Sequence, residues 1–214
     1  TNYKLFIEPI DLDDVIKYDT SRFNSSNHWK DDIPPEDYTK RREMNYTKNW
    51  IDKFRKDHKI IKIDNKYHIE WMKRANEISK QTGKFSKIFD DELEEFVRYF
   101  YKEYSDILSP NNTIPYFVRC ENVSLKYGEH KVGPYFSIKE IIESAVSSIN
   151  NHSPFNKSTN ELTFYLIPFN EKIEEFNEWR VFVNENRITA ISQQALYNKF
   201  PYFNEDIDKI LEEY

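Results

Sequence analysis

The chain has 214 residues, enough for one large domain or two small ones, and aromatic residues make up 16% of it and must fill much of its core. Its three glycines form neither a GxGxxG nor a Walker pattern, which excludes glycine-rich phosphate loops. Its single cysteine excludes an internal disulfide framework and predicts a reducing, cytoplasmic location. The net charge of −6 disfavours a general nucleic-acid binder but leaves a local basic groove open, and no apolar run is long enough to predict a membrane partner.

Residues 1–110 are predicted to form a mainly helical region. Its strongest helix spans 90–108, where Asp90 is the expected cap, acidic residues fill the first turn and apolar residues recur every three or four positions. The other elements predicted here are a strand at 3–10, a loop at 11–37, a helix at 36–58, a strand at 60–63 and a helix at 67–80. The inward positions of the 36–58 helix are predicted to be Tyr38, Met44, Trp50, Ile51 and Phe54.

Residues 111–214 are predicted to form an α+β region with mixed strands. Ser137 and Glu140 have the spacing of a capping box, which predicts a helix from there to about residue 150. Two period-two runs flank the polar turn at 184–186 and predict a β-hairpin over 177–194. The other elements predicted here are strands at 115–120 and 162–169, loops at 121–134 and 151–160, and a helix from 204.

A charged pair lies on the first hairpin strand, which otherwise has the composition of a buried strand. Glu178 and Arg180 project to the same face because strand side chains repeat every two residues. The pattern leaves two interpretations open: an ion pair on a solvated sheet face, or part of a ligand site.

A second group of polar residues follows the strand predicted at 115–120. Arg119 on that strand, Ser124 and Lys126 in the next loop, and the amide of Gly128 are suited to phosphate oxygens. The alternative is a solvated loop with ordinary surface charges, which composition alone favours. The five histidines have no metal-ligand spacing, so no metal site is predicted, and Cys120 is expected to be a buried apolar group.

Together, the segments FVRCENVSLKYG and EWRVFVNENRITAISQQALYNKF resemble the cell division cycle protein 123 family, over roughly residues 85–214. This family has an ATP-grasp-type fold, and its eukaryotic members help to assemble translation initiation factor 2. Arg119 falls on the family's basic strand position and Lys126 on its loop lysine or arginine. Glu178 and Arg180 match its E-x-R pattern, and Ile191, Ser192 and Gln193 match the following I-S-Q.

The chain departs from the family pattern at several positions. Leu125 replaces the loop proline, Tyr127 replaces its acidic residue, and Gln194 with Ala195 replaces an Arg-Asp pair. The family's magnesium-binding D-x-N motif would lie on strands beyond the last predicted helix. We therefore expect a truncated piece of a longer protein or the loss of metal-dependent chemistry, and the chain's start at Thr1 likewise predicts a fragment or a processed product.

The resemblance implies an ATP-grasp-like α+β fold that clamps ATP, together with Mg²⁺ whose ligands lie outside this chain. Arg119, Ser124 and Lys126 would meet the phosphates, Arg180 would do so from the hairpin, and Glu178 would orient Arg180 or meet the ribose. The implied function is an ATP-binding assembly factor or chaperone that acts on a protein partner. Two alternatives remain: an ATP-dependent ligase that modifies a protein, peptide or RNA end, and a non-catalytic binding or structural module.

Overall fold

In this computed structural model the described residues are 40, 43–105, 107–108, 111, 113–149, 152–156, 158–173, 178–184 and 187–193. They form a mixed α+β structure, as the sequence predicts, and their strands pair in antiparallel sheets. The strand predicted at 3–10, the loop at 11–37 and the helix from 204 lie outside these residues.

The helices and strands follow one another in an irregular α and β order. In chain order they are α1 (Ile51–Phe54), β1 (Lys59–Ile63), α2 (Lys66–Ser79), α3 (Asp90–Glu103), β2 (Tyr116–Arg119), α4 (Ile138–Ser147), β3 (Leu162–Pro168), β4 (Trp179–Asn184) and β5 (Arg187–Gln193). Short 3₁₀ turns lie at Thr47–Asn49, Lys87–Phe89 and Leu125–Tyr127.

The chain divides into two compact units. The sheet unit is Glu36–Phe169, and the hairpin unit combines Thr1–Pro35 with Asn170–Tyr214. The boundary predicted near residue 110 falls inside the sheet unit, because β1 comes before that residue and β2 and β3 come after it.

The sheet unit is built on three antiparallel strands in the order β1-β3-β2. Along β3, Ile61 of β1 pairs with Phe164, and Arg119 of β2 pairs with Tyr165. Since side chains alternate along a strand, Phe164 and Arg119 lie on opposite faces of this sheet. One face therefore carries the main core, and the other carries Arg119.

Helices α2, α3 and α4 cover the core face of the sheet. α4 packs against both α2 and α3, and the predicted capping box of Ser137 and Glu140 is confirmed at its start. Buried Asn76 of α2 joins α2 to the end of α4, because its Nδ2 donates to the carbonyl oxygens of Val146 at 2.8 Å and Ser148 at 3.3 Å. The core includes the buried aromatic residues Trp71, Phe96, Phe100, Tyr116, Tyr135 and Phe164.

The long helix predicted over 36–58 is wrong in the described residues. Tyr46 is extended, with φ −61° and ψ 142°, and it separates helical Met44 from the 3₁₀ turn Thr47–Asn49. Met44 and Phe54 are exposed at 69% and 74%, although the sequence predicts both to face inward, whereas Ile51 is buried. The helical pattern fails because the backbone at Thr47 bonds to a distant loop: its amide donates to the carbonyl of Glu121 at 2.8 Å.

Helix α3 confirms the apolar stripe of the 90–108 prediction but not its ends. Leu93, Phe96 and Phe100 are buried, as the pattern requires. Asp90 is the first helical residue and not the cap, since a 3₁₀ turn precedes it and the capping position is Phe89. The helix ends at Glu103, earlier than predicted, and the ring of Tyr104 stacks on Phe100 with centroids 5.1 Å apart.

The predicted hairpin is confirmed in the hairpin unit, where β4 and β5 pair antiparallel. A bulge interrupts the pairing: Phe182 pairs with Ala190 and Val183 with Ile188, so Thr189 is the extra residue. Apolar side chains of β4 are exposed, with Val181 at 50% and Phe182 at 46%. The strand therefore differs from the buried one that its composition predicts.

Candidate functional site

The loop after β2 folds back on the strand and brings polar groups together. Cys120 donates its amide to the carbonyl of Val123 at 2.7 Å, and Arg119 forms an antiparallel bridge with Ser124. The 3₁₀ turn Leu125–Tyr127 follows directly and carries Lys126. Arg119, Ser124 and Lys126, three of the predicted site residues, thus belong to one short strand–loop, defined here as residues 116–128.

Arg119 is held by two residues from outside the strand–loop. Its Nε donates to the hydroxyl oxygen of Thr47 at 2.8 Å, and its guanidinium carbon lies 4.9 Å from the ring centroid of Trp50. Partial burial lowers the pKa of Arg119, yet an arginine keeps its charge at any physiological pH. The strand–loop therefore contains a fixed cation on the sheet face opposite the main core.

Thr47 connects this cation to the backbone of the loop. Its side chain is fully buried, and the hydroxyl oxygen lies 2.7 Å from the carbonyl oxygen of Cys120 and 3.0 Å from that of Glu121. A hydroxyl has one proton, so it donates toward these carbonyls and accepts from Arg119. Sequence reasoning missed Thr47 because 72 residues separate it from Arg119, and no local pattern marks such a contact.

Glu121 is engaged by groups other than Arg119. Tyr165 donates its hydroxyl to Glu121 Oε1 at 2.6 Å, and the amide of Lys48 donates to Oε2 at 3.2 Å. Burial and this carboxylate raise the pKa of Tyr165, so the phenol stays protonated as a donor. Neighbouring Cys120 is buried as predicted, and burial raises the pKa of its thiol, which leaves it unreactive as a nucleophile.

Ser124 and Lys126 are both partly buried, at the end of the strand–loop. Lys126 Nζ lies 5.5 Å from the ring centroid of Tyr127, and that ring stacks on His152 at a centroid distance of 3.8 Å. Burial and the nearby Lys126 charge lower the pKa of His152, which favours a neutral imidazole in the stack. The ammonium group thus lies beside a small aromatic surface that the sequence did not predict.

The strand–loop is fixed onto α4 at its far end. A side chain on Gly128 would place its Cβ 2.1 Å from the carbonyl oxygen of Ser144, so only glycine allows this close approach. The amides of Glu129 and His130 donate to the hydroxyls of Ser147 and Ser144 at 2.8 and 3.0 Å. The loop geometry is therefore set by packing against a buried helix.

His130, two residues after the strand–loop, has a carboxylate partner. Its Nε2 lies 2.7 Å from Glu143 Oε2 on α4. Its amide and its ring both contact α4 side chains, so the geometry gives His130 a part in anchoring the loop.

The other two predicted site residues are in the hairpin unit. Glu178 precedes β4 and Arg180 pairs with Ser192, and both are exposed. Arg119, Ser124 and Lys126 are in the sheet unit. The contribution of Glu178 and Arg180 to a nucleotide site stays a prediction.

The donors of the strand–loop suit a phosphate group, since guanidinium, ammonium and hydroxyl groups are its usual partners. Within the described ranges, no group of three or more His, Cys, Asp or Glu side chains is placed to hold a metal ion, so no residue is assigned to Mg²⁺ here. The helices that the structure describes include none long and apolar enough to cross a membrane. Comparisons of the chain with protein-family models, curated proteins and solved structures found no match.

Proposed function

We propose that this chain is an ATP-binding protein of ATP-grasp type that acts as an assembly factor, or chaperone, on a protein partner. The proposal has two supports: the resemblance of residues 85–214 to the cell division cycle protein 123 family, and the strand–loop itself. The observation that carries it is the bridge between Arg119 and Ser124, with Lys126 two residues further along the same loop.

The charges and rigidity of the strand–loop suit phosphate binding. Arg119 donates its Nε–H to Thr47, which leaves the two terminal nitrogens to donate to two phosphate oxygens. Lys126 contributes a compact charge, which binds a phosphate without a fixed geometry. Because packing on α4 holds the loop before any ligand arrives, little ordering entropy is lost on binding.

Calorimetry with ATP and magnesium tests the proposal. We expect the full chain to bind ATP better than GTP, and Lys126→Ala to weaken binding by about ten- to a hundredfold, the usual worth of a charge-assisted hydrogen bond. Lys87→Ala is the matched control, since Lys87 is an exposed lysine in another 3₁₀ turn, and it should bind like wild type. Equal affinity for GTP, or none for ATP, would overturn the proposal.

The hairpin contribution has its own test. If Arg180 meets the phosphates, Arg180→Gln should weaken ATP binding by about tenfold, while Arg187→Gln on β5 should leave it unchanged. Both side chains are exposed on the same hairpin, so the pair controls for a general change in charge. Equal affinities in the two variants would restrict the site to the strand–loop.

Product analysis separates the assembly factor from the ligase. A ligase that activates a carboxylate turns ATP over to ADP or AMP when its acceptor is present, whereas an assembly factor retains a partner protein. We therefore expect the ATP-loaded chain to capture a defined protein that Lys126→Ala releases. Stoichiometric ADP or AMP with a covalently modified acceptor would instead establish the ligase.

A further inference from the structure

Two residues from a segment before the sheet hold the Arg119 guanidinium, one at Nε and one at its face. We propose that Thr47 and Trp50 are positioning residues that aim the terminal nitrogens of Arg119 at a phosphate group. The inference rests on the proposed ATP binding, and it adds to that site a segment that lies outside the family resemblance.

Thr47 fixes the rotation of the guanidinium. Its buried hydroxyl is itself oriented by the carbonyl oxygen of Cys120 at 2.7 Å, so its lone pair faces Arg119 Nε. An arginine held at Nε has its two terminal amino groups left for a bidentate contact, end-on to an anion. The hydrogen bonds of this part of the chain thus select one of the several ways in which an arginine binds phosphate.

Trp50 supports the guanidinium from the side. The ring centroid lies 4.9 Å from the guanidinium carbon, and the indole Nε1 donates to the carbonyl oxygen of Asn45 at 3.3 Å, which holds the ring in place. A cation against an aromatic face is stabilised without loss of any hydrogen-bond donor. Trp50 therefore restricts the motion of Arg119 and leaves its terminal nitrogens available.

A purely structural clasp, tying residues 46–50 to the end of β2, would use the same contacts. The two roles differ in what happens when Arg119 is changed. A positioning residue acts through Arg119, so its own substitution has no further effect on binding once that guanidinium is gone. A structural clasp affects the loop whether or not the guanidinium is present.

A double-mutant cycle on the full chain makes this distinction. In calorimetry with ATP and magnesium, we expect Thr47→Val to lower affinity by about tenfold in wild type and by less than about twofold in Arg119→Lys. Thr47→Ser, which keeps the hydroxyl, should bind like wild type. Trp50→Leu should follow the same pattern as Thr47→Val. Equal losses from Thr47→Val in both backgrounds would overturn the inference.

The Nε–H proton of Arg119 gives a signal that does not depend on ATP. In ¹⁵N-labelled wild-type protein it should exchange slowly with water, and its resonance is assigned by its absence in Arg119→Lys. We expect slow exchange in Thr47→Ser and fast exchange in Thr47→Val, with thermal unfolding used to verify that each variant is folded. Fast exchange in wild type would overturn the positioning by Thr47.

The two proposals fail in different ways. Wild type that binds no ATP overturns the proposed function and the positioning inference with it. Wild type that binds ATP as tightly as a folded Thr47→Val variant overturns the positioning inference alone and leaves the nucleotide site in place.

Discussion

The strand–loop of the sheet unit and the β4–β5 hairpin both have strand-and-turn geometry, but different interactions support them. The strand–loop is held by contacts with residues far away in the chain, such as Thr47 at Arg119 and Ser144 at Gly128. In the hairpin, β4 and β5 pair with each other, and the apolar side chains of Ile188 and Ile191 are exposed at 64% and 54%. A loop fixed by tertiary contacts is preorganised for a ligand, whereas a hairpin with local pairing tolerates changes in its side chains.

Among the substitutions that test this comparison, Gly128→Ala should lower the free energy of unfolding most. Its φ of −91° suits any residue, so the cost is purely steric: the new Cβ meets a backbone carbonyl at 2.1 Å. Overpacking of this kind costs about 3 kcal/mol in the free energy of unfolding, measured by urea denaturation. Gly83→Ala is the control, since it has open space and only its φ of +68° opposes a side chain, at about 1–2 kcal/mol. An equal or smaller cost at Gly128 would contradict the close approach.

Tyr135→Phe should have the next largest effect. The buried Tyr135 hydroxyl donates to the carbonyl oxygen of Lys131 at 2.6 Å, and its loss should cost about 1–2 kcal/mol, because the carbonyl is left without that partner. Phe136 is a neighbouring exposed ring, so Phe136→Leu should change the free energy of unfolding by less than about 0.5 kcal/mol.

The same tyrosine predicts an alkaline dependence. Burial raises the pKa of Tyr135 from 10.0 to about 12. A raised folded-state pKa means that the folded protein binds the proton more tightly, so the stabilisation is complete below pH 10 and is lost as pH rises toward 12. The difference in unfolding free energy between wild type and Tyr135→Phe should therefore shrink over this interval. A difference that stays constant across this interval would show that Tyr135 titrates normally.

The smallest expected effects come from one substitution made in the central sheet of the sheet unit and in the hairpin. Ile61→Val removes a methylene from a fully buried side chain of β1 and should cost about 0.5–1.5 kcal/mol. Ile188→Val makes the same change on β5, where the side chain is 64% exposed, and should stay within about 0.5 kcal/mol. Comparable costs, measured by urea unfolding, would show that the hairpin is packed as tightly as the sheet.

The elements that the sequence predicts well are those with local causes. The stripe of Leu93, Phe96 and Phe100 follows from the helical repeat, and the capping box of Ser137 needs only a residue three positions away. The β4–β5 pairing follows from two alternating runs and the turn between them.

The failures have long-range causes. The helical pattern over 36–58 gives way at Thr47, whose backbone and hydroxyl bond to the loop after β2, and tertiary contacts of this kind override helix propensity. For the candidate site, the sequence predicts Arg119, Ser124 and Lys126 in one loop but not the support from Trp50. No pattern within residues 116–128 could indicate that support, because helices α1, α2 and α3 separate Trp50 from the strand–loop along the chain.

Cys120, the residue after Arg119, makes the strand–loop observable in real time. It is the chain's single cysteine and is 3% exposed, so a thiol reagent modifies it only during transient opening of this region. When closing is faster than labelling, the modification rate divided by that of a free thiol gives the opening equilibrium. The native sequence therefore contains a built-in chemical reporter next to the candidate site. ATP that binds only the closed state should slow the labelling of Cys120 by a factor of one plus the ratio of the ATP concentration to its Kd.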